Sequence, residues 1–361
     1  MIDIVGLIKA LKKFNFHLLV FFIYKVMKKF TYYVGIDVSK LKLDVTILYE
    51  TNGVTKSDYQ VIENKDKSIT QFVRTLQKMY SSEQILFCFE DTGVYSLPLA
   101  CCLSDNSLSY WQVPAIEIKR SKGICRGKSD KTDSKDIAFY AYSHMHKFSP
   151  SSLSPKSIQK LRILFAEREK ILKSLSSFER TKENQDFVPK EVFQCVTAIN
   201  RSVVSQLDKA LKLTEAKMME VIDSELRLKQ QYRLLLSIPG IGMQTAIYLM
   251  IATKAFESFD NWRQLACYAG VAPFPYQSGS SIHGRTKVHP LADKKLKSLL
   301  NMCAIVAVRY DKELKTYYER KLAQGKPKML TINNVRCKLL GRVFAVINRE
   351  SPFINTLKFA S

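Results

Sequence analysis

An acidic residue lies inside a short apolar segment near the start of the chain. Within Thr31–Ser39, three aliphatic residues alternate with Gly35 and Asp37, which is the period of a half-buried strand. Burying a carboxylate there is unfavourable unless a partner neutralises it, and a metal ion is a common partner. A strand-end aspartate that caps the turn into Ser39 explains the same pattern. The chemical interpretation therefore depends on whether the chain supplies further carboxylates.

Three further acids are candidates for the same site. Glu90 ends the apolar segment Gln84–Asp91, and Asp133 and Asp136 stand three apart at the start of a predicted helix, on one of its faces. The helix dipole favours acids at an N-terminus, but two on one face also repel each other. With Asp37 they form a possible set of four ligands for two Mg²⁺ ions, with Mn²⁺ as a substitute, suited to phosphoryl transfer. Two neighbours compete for these roles, Asp91 and Asp130.

A second candidate stretch, residues 273–289, is rich in hydroxyls, glycines and cations. Ser278 precedes Gly279, which would place its hydroxyl on an open turn, and Ser280 and Ser281 are alternatives. Arg285 and Lys287 would balance phosphate charge. The pattern by itself favours a flexible loop that contacts phosphates over a catalytic serine.

The charge balance predicts a polyanionic partner. Lys and Arg number 56 against 33 Asp and Glu, a net charge of +23, which indicates nucleic acid first and an anionic membrane surface second. The basic segment 119–131, with Lys128 and Lys131, is a predicted mobile loop. The apolar run near residue 20 is too short to span a bilayer, so no stable membrane insertion is expected. Met27 is interpreted as the natural start, so deletion of residues 1–26 is expected to leave activity intact.

The predicted elements follow the order β-β-β-α-β-α-β and then a helix, which fits an α/β RNase H-like layout. Two long charged helical tracts follow, Ile158–Phe187 and Lys190–Leu236, and their apolar spacing predicts an antiparallel coiled-coil arm. Leu234–Ala246 then resembles a helix-hairpin-helix, in which Gly240 and Gly242 would let a DNA backbone approach closely. The remaining C-terminal part is predicted to be mainly helical.

Five motifs in this order resemble the DEDD transposases of insertion-sequence family one hundred and ten, which includes the Piv-type DNA invertases. The motifs are Tyr-Val-Gly-Ile-Asp-Val-Ser-Lys, Phe-Glu-Asp-Thr-Gly, Lys-Thr-Asp-Ser-Lys-Asp, Ile-Pro-Gly-Ile-Gly and the Gln-Ser-Gly segment that ends in Gly-Arg. The resemblance covers residues 31 to about 345. Two positions depart from the family pattern: Ile137 follows the fourth acid where alanine is usual, and residues 291–297 lack the usual Gly-Asn or Gly-Asp.

The resemblance implies a transposase or recombinase that cleaves and exchanges DNA strands of an insertion sequence. It implies a RuvC-like domain at 31–148 after an extension at 1–30, with Asp37, Glu90, Asp133 and Asp136 as metal ligands. A helical coiled-coil linker would follow at 149–232 and a C-terminal transposase domain at 233–361. Ser278 would be a nucleophile that forms a phosphoserine link.

The same resemblance implies partners and a location. It implies a dimer or tetramer guided by a structured bridge RNA, in the bacterial cytoplasm and on the nucleoid when DNA is bound. The nucleic-acid contacts would include Lys128, Lys131, Gly240, Gly242, Gly279, Arg285 and Lys287.

Other functions stay open from the residues alone. A RuvC-like junction nuclease would use water and would not need Ser278, and a non-catalytic nucleic-acid-binding protein would use the acids only structurally. An actin-like kinase would need a glycine-rich phosphate loop after Asp37, which the chain lacks.

Overall fold

The computed structural model of the chain describes residues 30–122, 129–183, 187–278, 282–288 and 291–355. Residues 1–29 of the expected N-terminal extension lie outside these ranges, as do four candidate residues, namely Lys128, Gly279, Ser280 and Ser281. For Ser278 and Arg285 only the backbone is described. The chain divides into two compact units, the first ending at Leu153 and the second beginning at Ser154.

The first unit is built on a mixed five-stranded sheet with the order β3-β2-β1-β4-β5. The strands are β1 (Tyr32–Val38), β2 (Lys42–Thr51), β3 (Val54–Glu63), β4 (Ile85–Glu90) and β5 (Tyr110–Val113). The strand β2 is antiparallel to both β1 and β3, whereas β4 is parallel to both β1 and β5. The carboxyl ends of β1 and β4 therefore lie side by side at one edge of the sheet.

Helices cover both faces of this sheet. They are α1 (Asp66–Met79), α2 (Leu97–Asp105), α3 (Ala115–Ser121) and α4 (Asp130–Ser143). Val34 and Ile36 of β1 join a buried cluster with the apolar faces of α1 and α2, while Tyr33 joins a second cluster with α3 and α4. Because side chains alternate along a strand, Gly35 and Asp37 face α4 as Tyr33 does.

The second unit is mainly helical. Its elements are α5 (Lys156–Glu183), α6 (Lys190–Asp223), α7 (Leu226–Leu236), α8 (Met243–Ala252), α9 (Trp262–Tyr268), β6 (Pro273–Ser278), β7 (Ile282–Val288), α10 (Lys294–Tyr310), α11 (Lys312–Ala323) and α12 (Lys328–Asn348). The helices α5 and α6 pack along each other, and one end of the pair joins the core through Ile158, Leu161, Met218 and Ile222. None of the helices in the described ranges has the length and apolarity needed to cross a bilayer.

The α/β first unit and the helical second unit confirm the coarse fold prediction, but several details differ. The segment 119–131 was predicted to be a mobile loop, but α3 extends over Lys119–Ser121 and α4 begins at Asp130. The second helical tract breaks between α6 and α7, and the serine-rich stretch forms the antiparallel hairpin β6–β7 where a loop was expected. A third strand was predicted only over Val61–Glu63, but β3 begins at Val54 because its backbone pairs with all of β2, although most of its side chains are exposed. The helix α11 was not predicted.

Candidate active site

Asp37 lies at the carboxyl end of β1 and is half-buried. Burial, and after it the nearby charges of Asp133 and Glu90, raise the pKa of its carboxyl to about 6. A raised carboxyl pKa arises when burial and like charges disfavour ionisation. Asp37 therefore stands where several carboxylates converge with too little positive charge to balance them.

Gly35 is the reason that α4 comes so close to β1. A β-carbon on Gly35 would stand 2.2 Å from the backbone nitrogen of Ala138 and 2.4 Å from the carbonyl oxygen of Ser134. Only glycine allows this approach, because any side chain would collide with the backbone of the helix. The contact holds α4 directly over the strand that ends in Asp37.

Asp133 and Asp136 share one lysine. The Nζ of Lys122 lies 2.7 Å from Oδ1 of Asp133 and 3.1 Å from Oδ2 of Asp136. Burial lowers the pKa of Lys122, but its hydrogen bonds to the two carboxylates outweigh this and raise the pKa overall. An ammonium group thus occupies a position between two predicted metal ligands, in the region that a cation would take.

Glu90 ends β4, beside the carboxyl end of β1, and its side chain is half-buried. The next residue, Asp91, has a local role, since its Oδ1 accepts a hydrogen bond of 3.1 Å from the backbone N–H of Gly93. This contact is an Asx turn, which shapes the chain after the strand. Of the two neighbouring acids, Glu90 is the one whose charge acts on Asp37.

A fifth acid, Asp44, also lies beside Asp37, and it was not among the candidate residues predicted from the sequence. It faces Asp37 across the β1–β2 pair and is almost fully buried. The hydroxyl of Tyr59 donates to it over 2.5 Å, and Lys42 contacts both Asp44, at 3.0 Å, and Asp130, at 2.8 Å. Asp130 therefore ties the start of α4 to β2.

The register of the β1–β2 hairpin could have identified Asp44 from the sequence. The backbone N–H of Ser39 donates to the carbonyl of Lys42, so β1 and β2 are joined by a two-residue loop. Counting outward from that loop pairs Asp37 with Asp44. A register argument of this kind would have placed both acids on one face of the sheet.

The donor chemistry of these residues fits a hard divalent cation, which prefers carboxylate oxygens. Among the described residues no group of three or more metal-ligating side chains is close enough to coordinate an ion as it stands. The acids lie within electrostatic range of one another, since burial and the charges of the neighbouring acids together raise the pKa of Asp37.

Ser278 belongs to the second unit, at the end of β6, where it pairs with Ile282 of β7. The hairpin has an irregular register between Phe274 and Tyr276. Lys287 on β7 is exposed, as is Lys131 on α4, whose Nζ lies 5.1 Å from the centre of the Tyr59 ring. Ser278 is thus the last residue of strand β6.

The two glycines of the Ile-Pro-Gly-Ile-Gly turn have different surroundings. Gly240 has a φ of +95°, and a β-carbon there would stand 2.7 Å from the carbonyl oxygen of Cys303 on α10. Gly242 is the N-cap of α8, and a β-carbon there would meet nothing within 4 Å. The fold therefore needs glycine at position 240 for its own packing, while Gly242 is open.

Two family models match successive parts of the chain. Residues 34–184 match the DEDD transposase model of IS110 type, and residues 232–319 match the model described as the IS116/IS110/IS902 transposase family. The first match includes Asp37, Glu90, Asp133 and Asp136, and the second includes Gly240 and Ser278.

Similar proteins agree with these matches. A pilin gene-inverting protein of Moraxella bovis is 27% identical over 329 residues, which cover 89% of this chain and 97% of the relative. A pilin gene-inverting protein of Moraxella lacunata is also 27% identical, over 331 residues with the same coverage. The insertion element IS110 uncharacterized 43.6 kDa protein of Streptomyces coelicolor is 32% identical over 119 residues, 33% of this chain and 29% of the relative.

The fold, the converging acids and these matches define a DNA transposase or recombinase, an enzyme that binds DNA and whose family depends on a divalent metal. The chain belongs to the IS110 family of DEDD transposases.

Proposed function

We propose that this transposase cleaves and rejoins DNA at a site formed by Asp37, Glu90, Asp133 and Asp136. The observation that supports this most strongly is the pKa of Asp37, raised to about 6 by burial and by the charges of Asp133 and Glu90. Carboxylates that meet in this way are typical of functional sites. The sheet order β3-β2-β1-β4-β5 supports an RNase H-like, specifically RuvC-like, fold for the first unit.

Mg²⁺ is the proposed cofactor, as two ions, with Mn²⁺ as a substitute. The four carboxylates would hold the ions. When bound, the ions would activate the attacking oxygen and stabilise the leaving oxygen of a phosphoryl transfer. Before they bind, Lys122 balances the charge of Asp133 and Asp136, which lowers the electrostatic cost of keeping the acids together.

Ser278 is the proposed nucleophile. Its Oγ would form a bond to a DNA phosphorus, and the bond from that phosphorus to the leaving nucleotide oxygen would break. The resulting phosphoserine retains the energy of the broken phosphodiester, so an incoming DNA hydroxyl can reverse the step and complete strand exchange. Ser280 and Ser281 are the alternatives for this role.

The proposal extends to partners and location. The relatives named pilin gene-inverting proteins support a site-specific rearrangement of DNA. A structured guide RNA, a dimer or tetramer, and action in the bacterial cytoplasm and on the nucleoid complete the proposal. Lys128, Lys131, Gly242, Gly279, Arg285 and Lys287 are the proposed nucleic-acid contacts, with Gly240 shaping the turn. The proposed domains are an N-terminal extension at 1–30, a RuvC-like catalytic domain at 31–148, a helical coiled-coil linker at 149–232 and a C-terminal transposase domain at 233–361.

A covalent-adduct assay tests this function. The full chain is incubated with Mg²⁺, candidate guide RNA and labelled element-junction DNA, and the products are separated on a denaturing gel. Wild-type protein is expected to give a DNA–protein band that Ser278→Ala and Asp37→Asn both lose. Ser205→Ala, on the exposed side of α6, is the matched control and is expected to keep the band.

Two outcomes would change the proposal. Cleaved DNA ends without an adduct, unchanged in Ser278→Ala, would indicate a nuclease that uses water. An adduct that persists in Ser278→Ala but disappears in Ser280→Ala or Ser281→Ala would move the nucleophile to that serine.

A further inference from the structure

The hairpin β6–β7 is attached to the second unit mainly through its two roots, where the chain enters and leaves it. The main packing partner of each strand is the other strand, and neither makes an extensive contact with a helix of the described ranges. Side chains along both strands are exposed, among them Phe274, Gln277 and Lys287. The direction of the hairpin, and with it the place of Ser278, is therefore set at the roots.

Both roots are fixed beside the end of α9. At the entry, the carbonyl oxygen of Val271 accepts a hydrogen bond of 2.7 Å from Nδ2 of Asn333 on α12, and Sγ of Cys337 lies 3.5 Å from the same oxygen. At the exit, the backbone N–H of Asp293 donates to the carbonyl oxygen of Tyr268 over 2.9 Å. Because Tyr268 ends α9 three residues before Val271, the two roots lie at one place.

A buried arginine supports the entry root. Arg336 is 6% exposed, its Nη1 donates to Oδ1 of Asn333 over 3.4 Å, and its Nη2 donates to Oδ1 of Asn301 on α10. Asn333 and Arg336 stand three apart on one face of α12. Because a guanidinium can only donate, it turns Oδ1 of Asn333 towards itself and leaves Nδ2 to face the carbonyl of Val271.

The burial of Arg336 is unfavourable in itself. No acidic residue pairs with it in the part of the chain that the structure describes, and residues 273–290 include no Asp or Glu. Its Nε has no hydrogen-bond partner among the described residues, and burial lowers the pKa of the guanidinium. An apolar side chain of similar size would fill the same space without a buried charge. What Arg336 holds in place therefore explains it better than the stability of the core does.

We infer that Asn333, oriented by Arg336, is a positioning residue for Ser278. The inference rests on the proposed function, in which Ser278 attacks DNA. Ser278 stands seven residues after Val271, which corresponds to roughly 20 Å of extended chain. A tilt of about 3° at the root moves the serine by about 1 Å, and a misplacement of that size can slow a reaction by up to about a hundredfold.

Asn333→Asp separates positioning from stability. The carboxylate keeps the contact with Arg336 and neutralises its charge, but it cannot donate to the carbonyl of Val271. The thermal midpoint should therefore not fall. The rate of covalent-adduct formation at saturating DNA should fall by at least about tenfold, while the affinity for DNA should stay within about a factor of two. Asn334→Asp, the same change at the next residue of α12, is the matched control and should keep the wild-type rate.

A distance measurement that needs no catalysis accompanies the adduct assay. Spin labels are introduced through non-canonical amino acids at Phe274 on β6 and Arg309 on α10, which are both exposed, in the full chain without DNA. We expect the distribution of distances between the labels to shift or broaden in Asn333→Asp. It should stay as in the wild type in Asn334→Asp.

The two measurements distinguish failure of the inference from failure of the proposed function. A wild-type chain that forms no adduct would contradict the proposed function, and the label distances alone would then decide whether Asn333 fixes the hairpin. An unchanged adduct rate or an unchanged label distance in Asn333→Asp would overturn the inference. So would a thermal midpoint that falls together with the adduct rate, because general destabilisation would then explain the loss.

Discussion

The electrostatics of Asp37 connect its proposed role to the stability of the fold. Its pKa is about 6 in the folded protein, against 3.8 as the ordinary value. Below pH 4 the carboxyl is protonated in both the folded and the unfolded chain, so it does not lower the free energy of unfolding. As the pH rises from 4 to 6, the Asp37 carboxyl ionises in the unfolded chain before it does in the folded chain, so the free energy of unfolding falls. Above pH 6 the carboxyl is ionised in both states, and this loss of stability is constant.

Asp37→Asn is therefore expected to stabilise the metal-free protein at pH 7.5. A shift of this size corresponds to about 3 kcal/mol, which solvent screening at a half-exposed group reduces to about 1–2 kcal/mol. The thermal midpoint in a chelator should rise by about 2–4 °C, and the difference should vanish at pH 4. Asp105→Asn, an exposed acid at the end of α2, is the control and should show no such rise. A stability loss in Asp37→Asn would mean that the carboxylate is already neutralised.

Lys122 is expected to compete with a divalent cation for Asp133 and Asp136. Lys122→Gln should raise the affinity for Mn²⁺ roughly threefold to tenfold, since an ion pair of this kind contributes about 1 kcal/mol and 1.4 kcal/mol corresponds to a factor of ten. Metal-dependent thermal stabilisation measures this affinity. Lys119→Gln, on the exposed side of α3, is the control. Weaker metal binding in Lys122→Gln would instead show that the lysine orients the acids.

At the scale of elements, the contact between β1 and α4 determines the geometry of the acids. Glu90 reaches the site because β4 is parallel to β1, and Asp133 reaches it because α4 crosses β1 at Gly35. Asp130 and Lys42 hold the first turn of α4 to β2. The site therefore depends on how three elements pack.

Gly35→Ala is expected to displace α4 and abolish DNA cleavage. Overpacking of this kind destabilises a protein by about 1–3 kcal/mol, and the collision here is with backbone atoms. Gly341→Ala is the matched control, because its β-carbon would meet nothing within 4 Å in the middle of α12. That change should stabilise the chain by about 0.5–1 kcal/mol and leave cleavage intact. Wild-type cleavage by Gly35→Ala would show that the site tolerates movement of α4.

At the scale of the whole molecule, the net charge of +23 predicts strong salt dependence of DNA binding. The logarithm of the binding constant should fall by about 0.9 per phosphate contact for each tenfold increase in salt. Lys287→Gln should reduce that slope by about one, if Lys287 contacts a phosphate as proposed. Lys170→Gln is the control, because Glu167 already pairs with Lys170 at 2.9 Å. An unchanged slope in Lys287→Gln would remove that lysine from the interface.

The local pattern of apolar and polar residues predicted most of the helices and strands. The alternation in β1, the apolar run of β4 and the helical spacing of α1 and α10 are set by which side chains must be buried, so the sequence alone predicts them. The five motifs in order likewise predicted the transposase family.

Elements held by backbone pairing were harder to predict. Most side chains of β3 are exposed, and the hydrogen bonds that β3 and the hairpin β6–β7 form between strands cannot be seen in a local pattern. The break between α6 and α7 was missed for a similar reason, because the helical spacing continues across it.

The sequence identified the candidate acids, but their contacts, burial and pKa values depend on the tertiary structure. The place of Lys122 between Asp133 and Asp136, the burial of Asp44 opposite Asp37 and the raised pKa of Asp37 all arise from contacts between residues far apart in the chain or across a strand pair. Charge interactions depend on distance in space, whereas a sequence pattern records only distance along the chain.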